Sequence, residues 1–203
     1  MDDNMEKVFG IIILAAGNSS RLGKPKQLLQ YNDDTLLRKT LLQAKLLHNT
    51  FVLVVTGAYK IVIEKDLDLL EVQVVHNPNW EMGMASSISI GLDRLCMLKP
   101  NLNFCIFTVC DQPYVTAGVF EDLIEQHNKT GKGIVASEYA DTLGTPVLFS
   151  SRYFDELLNL KGNEGAKKML QYYKEDVASV IFEKGAVDID TLDDYNNLIN
   201  QIS

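Results

Sequence analysis

One stretch of the chain concentrates groups suited to holding an anion. Leu14-Ala15-Ala16-Gly17-Asn18-Ser19-Ser20-Arg21-Leu22-Gly23-Lys24-Pro25-Lys26 carries two glycines, two serines and three cations in thirteen residues. Glycine lets backbone amides approach an anion closely, and Ser19 and Ser20 add hydroxyl donors. Arg21 offers a planar fork for phosphate oxygens, whereas Lys24 and Lys26 are mobile point charges. A P-loop reads G-x-x-x-x-G-K-[ST] and opens a helix. Here five residues separate Gly17 from Gly23, and Pro25 biases Lys24 away from helical backbone. The G-x-G-x-x-G fingerprint is missing too, so the loop matches neither common nucleotide motif.

Two acidic stretches complement it. Val109-Cys110-Asp111-Gln112-Pro113 puts a carboxylate directly after an apolar run, and Val187-Asp188-Ile189-Asp190-Thr191-Leu192-Asp193-Asp194 is dense in acids. Mg²⁺ takes one or two carboxylates together with phosphate oxygens, so Asp111 and Asp190 are candidate ligands. Each has a plainer reading: Asp111 as a turn residue before Pro113, and Asp190 or Thr191 as a helix N-cap. Thr191 and Asp194 have the spacing of a capping box.

The elements that must position these groups follow from periodicity. Val8 to Leu14 is apolar apart from Gly10, as a strand buried on both faces should be. Leu36, Leu37, Thr40, Leu41, Ala44 and Leu47 recur at helical spacing, with Asp33 or Asp34 as the expected N-cap. Strands are read at Phe51–Thr56, Val72–Val75, Phe104–Val109, Ile134–Ala136, Thr145–Phe149 and Val177–Phe182. Helices are read at Ile61–Leu70, at Ala85–Leu98, after Thr116 with Val119, Leu123 and Ile124 inward, and after Thr191. This alternation predicts one α/β domain over residues 1–203: a single open, mostly parallel, Rossmann-like sheet with helices on both faces. In such sheets ligands bind at the carboxyl ends of the strands, where the loop and Asp111 fall.

Composition narrows the field. The 203 residues include 46% hydrophobic and 23% charged, ordinary for a soluble globular chain. A net charge of −8, with 19 basic against 27 acidic residues, lacks the electrostatic footprint of a nucleic-acid binder. No apolar run is long enough for a membrane helix, and the acidic Met1–Glu6 opening is the wrong sign for a secretory segment. Cys96, Cys105 and Cys110 form no C-x-x-C pair and read as reduced residues, which predicts a cytoplasmic protein. His48, His76 and His127 assemble no site, and no G-x-S-x-G elbow is present.

The first loop resembles the L-A-A-G-x-S-x-R-[ML]-G-x-x-K signature of the MobA-like NTP transferases. Leu14, Ala15, Ala16, Gly17, Ser19, Arg21, Leu22, Gly23 and Lys26 meet its nine specified positions. Asp111-Gln112-Pro113-Tyr114 is similar to the family's metal-binding strand end, and Asp188-Ile189-Asp190-Thr191 to its second acidic element, with Leu192 where proline is usual. Asn77 to Ser87 resembles N-x-x-W-x-x-G-M-x-x-S, and Gly144-Thr145-Pro146 and Gly162-Asn163-Glu164-Gly165-Ala166 resemble acceptor-side motifs. Thr145 replaces a frequent His, and Asn163 a usual Asp. The likeness spans roughly residues 8 to 200.

The resemblance implies the nucleotide-diphospho-sugar transferase fold and Mg²⁺-dependent transfer of NMP onto a phosphate-bearing acceptor, with release of pyrophosphate. Arg21, Lys26 and Asp111 are then the expected catalytic residues. Leu14, Ala15, Ala16, Gly17, Ser19, Arg21, Lys26, Gly83 and Ser87 are expected at the nucleotide in the N-terminal half. Thr145, Pro146 and Gly165 are expected at the acceptor in the C-terminal part, and Asp111 and Asp190 on the metal. The Ala15-Ala16-Gly17 wording is similar to the branch that uses CTP and molybdopterin, since the guanylyl branch has Ala-Gly-Gly. A sugar- or alcohol-phosphate acceptor is the alternative within the class. Outside it stands a non-catalytic nucleotide- or cofactor-binding protein serving a molybdoenzyme. For the enzyme itself the resemblance implies transient contact with a molybdoenzyme or its chaperone as the partnership. A nicotinamide oxidoreductase lacks its fingerprint.

Overall fold

The computed structural model describes residues 7–162 and 165–201; Asn163, Glu164 and the acidic Met1–Glu6 opening lie outside the described residues. The chain runs through β1 (Phe9–Ala15), a small hairpin of β2 (Gln30–Tyr31) and β3 (Asp34–Thr35), α1 (Leu36–Lys45) and β4 (Thr50–Thr56). Next come α2 (Lys60–Leu67), β5 (Gln73–His76), α3 (Met84–Leu98), β6 (Phe104–Val109) and α4 (Ala117–Thr130). The rest comprises β7 (Ile134–Tyr139), β8 (Thr142–Ser150), α5 (Phe154–Leu158), α6 (Ala166–Tyr172), β9 (Val177–Ile181) and α7 (Leu192–Asn200).

Seven strands form one open sheet in the order β5-β4-β1-β6-β8-β7-β9. β1 pairs in parallel with β4 and β6, β4 with β5, and β7 with β9. Among them β8 alone runs against its neighbours β6 and β7. Ile11, Ile12 and Ile13 are fully buried, because β1 is covered on both sides. On one face Leu37 and Leu41 of α1, Ile63 of α2, and Phe120 and Leu123 of α4 pack on Ile11, Ile13 and Ala15. On the other, Ile88, Leu92 and Leu95 of α3, Leu157 of α5, and Met169 and Leu170 of α6 pack on Ile12 and Phe107. A third cluster joins α7 to the small hairpin through Leu29, Tyr31, Leu36, Ile189 and Leu198.

Several local expectations are corrected. Thr35, not Asp33 or Asp34, caps α1 by accepting from the Arg38 amide, while Asp34 pairs with the Arg38 side chain at 2.8 Å. Thr116 sits at the start of α4 without a side-chain cap; Gln43 accepts from the Ala117 amide at 2.9 Å instead. The buried stripe of α4 is Phe120, Leu123 and His127, with Val119 and Ile124 only partly covered. β7 and β8 are longer than their apolar runs, because Ala140 and Asp141, both at positive φ, turn one directly into the other.

Candidate functional site

The signature loop leaves β1 at the carboxyl edge of the sheet and is braced from within. Gln27 is buried, and its Nε2 donates to the carbonyls of Ala15 and Gly17, each at 3.0 Å. Ser19 adopts φ +49° and its carbonyl accepts from the amides of Leu22 and Gly23. Its Oγ accepts from the Lys26 amide at 3.0 Å. The Ser19 hydroxyl therefore shapes the loop as well as edging it. The loop returns through a short helical turn at Lys26–Leu28, which sets the Lys26 side chain inward.

Lys26 meets both candidate metal ligands. Its Nζ donates to Asp111 Oδ2 and, at 2.9 Å, to Asp190 Oδ1. Arg21 Nη2 binds Asp190 Oδ2 at 2.6 Å from the solvent side, its own side chain 68% exposed. Burial pulls the Lys26 ammonium's pKa down, but Asp111 and Asp190 outweigh it and hold the group above its ordinary value. Burial pushes Asp190 up, while the hydrogen bonds and charges of Lys26 and Arg21 prevail and lower it. Partial desolvation, then the charges of Asp190 and Asp111, raise Asp188, which lies outside this pairing.

The two carboxylates are 79 positions apart in sequence, and the backbone joins their segments. The Ile189 amide donates to the Asp111 carbonyl at 2.9 Å, and Ile189 is fully buried in the α7 cluster. Thr191 caps α7 in a complete capping box with Asp194. That settles the choice between Asp190 and Thr191: the cap is Thr191, and the Asp190 carboxylate is free to face the loop. Among the described residues no group of three or more His, Cys, Asp and Glu forms a metal cluster. Two carboxylates already bridged by the Lys26 ammonium, beside a loop rich in amide, hydroxyl and cationic donors, suit a hard ion completed by phosphate oxygens.

Between the loop and α3 lies a cleft of about 320 Å³. Leu14, Ala16, Gly17, Lys26 and Asp111 line one side, and Trp80, Gly83 and Ser87 the other. Gly83 starts α3 at φ +96°, ψ −178°, a conformation essentially reserved for glycine. Buried Asn77, a residue without any periodic signal, donates to Ser86 Oγ and Ser87 Oγ at 2.8 and 2.9 Å. It fixes the start of the helix against the end of β5. Ala15 does not reach the cleft: its methyl is buried beneath α1, and only its backbone serves the loop.

Of the residues expected at the acceptor, Thr145 donates to Gln112 Oε1 at 3.1 Å, Pro146 is buried, and Gly165 lies against Met84, a residue of the cleft lining. A more open groove of about 410 Å³ lies between the β7–β8 turn and α6, but its Glu138 is taken up by Ser179. Asp111, Lys26 and the loop from Ala16 to Asn18 line the smaller cleft, while Asp190, Ser19 and Arg21 lie outside its lining and Asp190 meets it through Lys26. Cys96, Cys105 and Cys110 are all free thiols. No helix among the described residues is long and apolar enough to cross a membrane.

The sequence pattern of the MobA-like NTP transferase domain matches residues 11–177, most of the chain. The chain belongs to this family. It is therefore a nucleotidyltransferase, and its open sheet is the family's. Molybdenum cofactor cytidylyltransferase of Escherichia coli K12 is 24% identical over 189 residues, covering 91% of this chain and 92% of that one. The crystal structure of Rv0371c from Mycobacterium tuberculosis superposes with a TM-score of 0.83 at 31% identity, covering 97% of this chain and all of the other. A manganese complex of Rv0371c gives 0.78 at 27%, covering 96% and 99%. The family match ends before Asp190, so that residue's place in the site rests on the geometry above.

Proposed function

We propose that this nucleotidyltransferase moves CMP from CTP onto the phosphate of a molybdopterin-type cofactor in the cytoplasm, with Mg²⁺ held by Asp111 and Asp190. The observation that carries the reading is the meeting of these two carboxylates on Lys26 beneath the signature loop. The E. coli relative's activity and the Ala15-Ala16-Gly17 wording support the donor and the acceptor, and the manganese-bound neighbour supports a divalent ion. In this reading the whole chain acts as one domain, its N-terminal half taking the nucleotide and its C-terminal part the acceptor.

The chemistry asks little covalent work of the protein. An oxygen of the acceptor phosphate attacks the α-phosphorus, the bond to the bridging oxygen breaks, and pyrophosphate leaves with the electron pair. A phosphate monoester is already an anion at neutral pH, so no histidine base is needed. Positioning and charge neutralisation supply the rate. The amides around Gly17 and the side chains of Arg21 and Lys26 bear on the triphosphate, Lys26 turning from the carboxylates to the phosphates. Gly83 and Ser87 border the nucleoside, and Ser87, accepting from Asn77, keeps its hydroxyl proton to donate. Thr145 and Gly165 border the acceptor, with buried Pro146 supporting that wall from behind. When bound, Mg²⁺ supplies charge to the reacting phosphates.

Pyrophosphate release with CTP and GTP, each against molybdopterin and a panel of sugar and alcohol phosphates, tests this. Faster release with CTP and molybdopterin is expected; preference for GTP would reverse the donor assignment and leave the reaction class intact. Thr145 and Asn163 depart from the acceptor-side pattern and so bear on which acceptor is used; a sugar- or alcohol-phosphate is the second reading, which the panel tests.

A further inference from the structure

Gln112 follows Asp111 and is 4% exposed, yet it lines neither the cleft nor a purely apolar core. Its side chain joins three segments. Nε2 donates to the Gly185 carbonyl at 2.8 Å, and Oε1 accepts from Thr145 Oγ1 at 3.1 Å. The orientation of the amide is fixed by its partners, since only the NH₂ end can serve a carbonyl. Gly185 is seated so tightly that a Cβ there would come within 2.5 Å of Tyr139 and 2.6 Å of Phe182, two rings in edge-on contact. Four residues on, Ile189 donates its amide to Asp111, and Asp190 follows. The segment carrying the second carboxylate is thus held at two points, both leading to adjacent residues at the end of β6.

We infer that Gln112 is a positioning residue: by clamping Gly185 it sets the spacing between Asp111 and Asp190, and through Thr145 it ties that spacing to the acceptor-side strand. The inference rests on the proposed metal role of the two carboxylates. The backbone bond from Ile189 holds the far end of the turn from 183 to 188, and the Phe182 amide, donating to Glu138, holds its near end. The buried amide bond to Gly185 ties the middle to the residue beside Asp111, and a carboxylate pair meant for a small, geometrically demanding cation needs that spacing held.

The test measures Mn²⁺ binding to the full chain by loss of the free-ion paramagnetic resonance signal, beside Mg²⁺-dependent pyrophosphate release. Gln112→Met keeps length without hydrogen bonds, Gln112→Asn keeps the amide without the reach, and Thr145→Val leaves the Gly185 bond in place. Both Gln112 variants should bind Mn²⁺ about tenfold or more weakly, as on loss of an outer-shell partner of a metal site, and lose kcat, while metal-free CTP affinity stays within about threefold of wild type. Thr145→Val should keep Mn²⁺ affinity and shift KM for the acceptor. Wild-type Mn²⁺ affinity in Gln112→Met overturns the inference, and so does loss of the folded circular-dichroism signal in both Gln112 variants. If the wild-type chain itself takes up no Mn²⁺, the metal reading fails first, and the inference with it.

Discussion

Replacing Lys26 by methionine isolates what its ammonium does. The aliphatic stem is kept, while two charge-assisted hydrogen bonds, to Asp111 and Asp190, disappear. Breaking a buried ion pair by removing one partner costs about 3–5 kcal/mol. This site is more open: the side chains of Lys26 and Asp111 are each 18% exposed and that of Asp190 28%, and Arg21 still covers Asp190. The penalty is correspondingly smaller, about 1.5–3 kcal/mol, the range for hydrogen bonds to charged groups. For a chain of this size that lowers the unfolding midpoint by about 3–12 °C. A loop lysine ordinarily matters little to stability; the two ion pairs give this one more weight. A divalent cation between the same carboxylates replaces the lost charge, so millimolar Mg²⁺ should raise the midpoint of Lys26→Met more than that of wild type, by linkage. Differential scanning calorimetry with Mg²⁺ and with chelator checks both parts. A wild-type midpoint in chelator would refute the claim that the carboxylates depend on Lys26, and equal Mg²⁺ shifts in both proteins would refute the shared-cation reasoning.

Asp111→Asn and Asp190→Asn should each depress Mg²⁺-dependent pyrophosphate release strongly, and the double variant should lose little more, because groups acting as one unit are non-additive. Asp190→Asn should leave α7 intact by far-ultraviolet circular dichroism, since Thr191 and Asp194 hold its start; wild-type turnover would remove Asp190 from the site. Asp176 lies away from the cleft. Burial raises its pKa, but the Tyr153 hydroxyl, the Gly133 amide and Arg152 together bring it below the usual value. A depressed carboxylate contributes stability that is present above its unfolded pKa, near 4, and lost as pH falls through the lower folded value. Urea unfolding should therefore show a shallower acid-side fall for Asp176→Asn than for wild type below about pH 4, and parallel curves would contradict the assignment.

Much of this was legible because local chemistry and global position coincide. Val8 to Leu14 could only be a strand covered on both faces, and the signature loop could only follow it. Thr191 and Asp194 wrote their capping box into adjacent residues. What stayed hidden depends on partners distant in sequence. Asn77 and Gln112 stand in the quoted motifs, but their roles, like that of Gln27, run through carbonyls and hydroxyls up to 73 residues away, and a lone buried amide leaves no periodic trace of its partner. The β7–β8 hairpin escaped because Ala140-Asp141 lacks the Asn-Gly or Asp-Gly that announces such a turn. Thr35 outcompeted two aspartates as a cap because Asp34 had Arg38 to pair with.

The fastening of Asp190 by α7 has a consequence for the order in which the protein becomes competent. Every strand of the main sheet is complete by Ile181, and the loop, Asp111 and the cleft wall all precede it. Asp190 arrives later, and Ile189, whose amide binds Asp111, buries its side chain only when Leu198 closes the cluster over Leu29, Tyr31 and Leu36. A chain emerging from the ribosome can thus bury nearly all of its sheet while Lys26 still faces Asp111 alone. The contacts of Asp190 with Lys26 and Arg21 belong to a segment made after every strand of the sheet, and the charge pattern of the proposed site is complete only once α7 has docked.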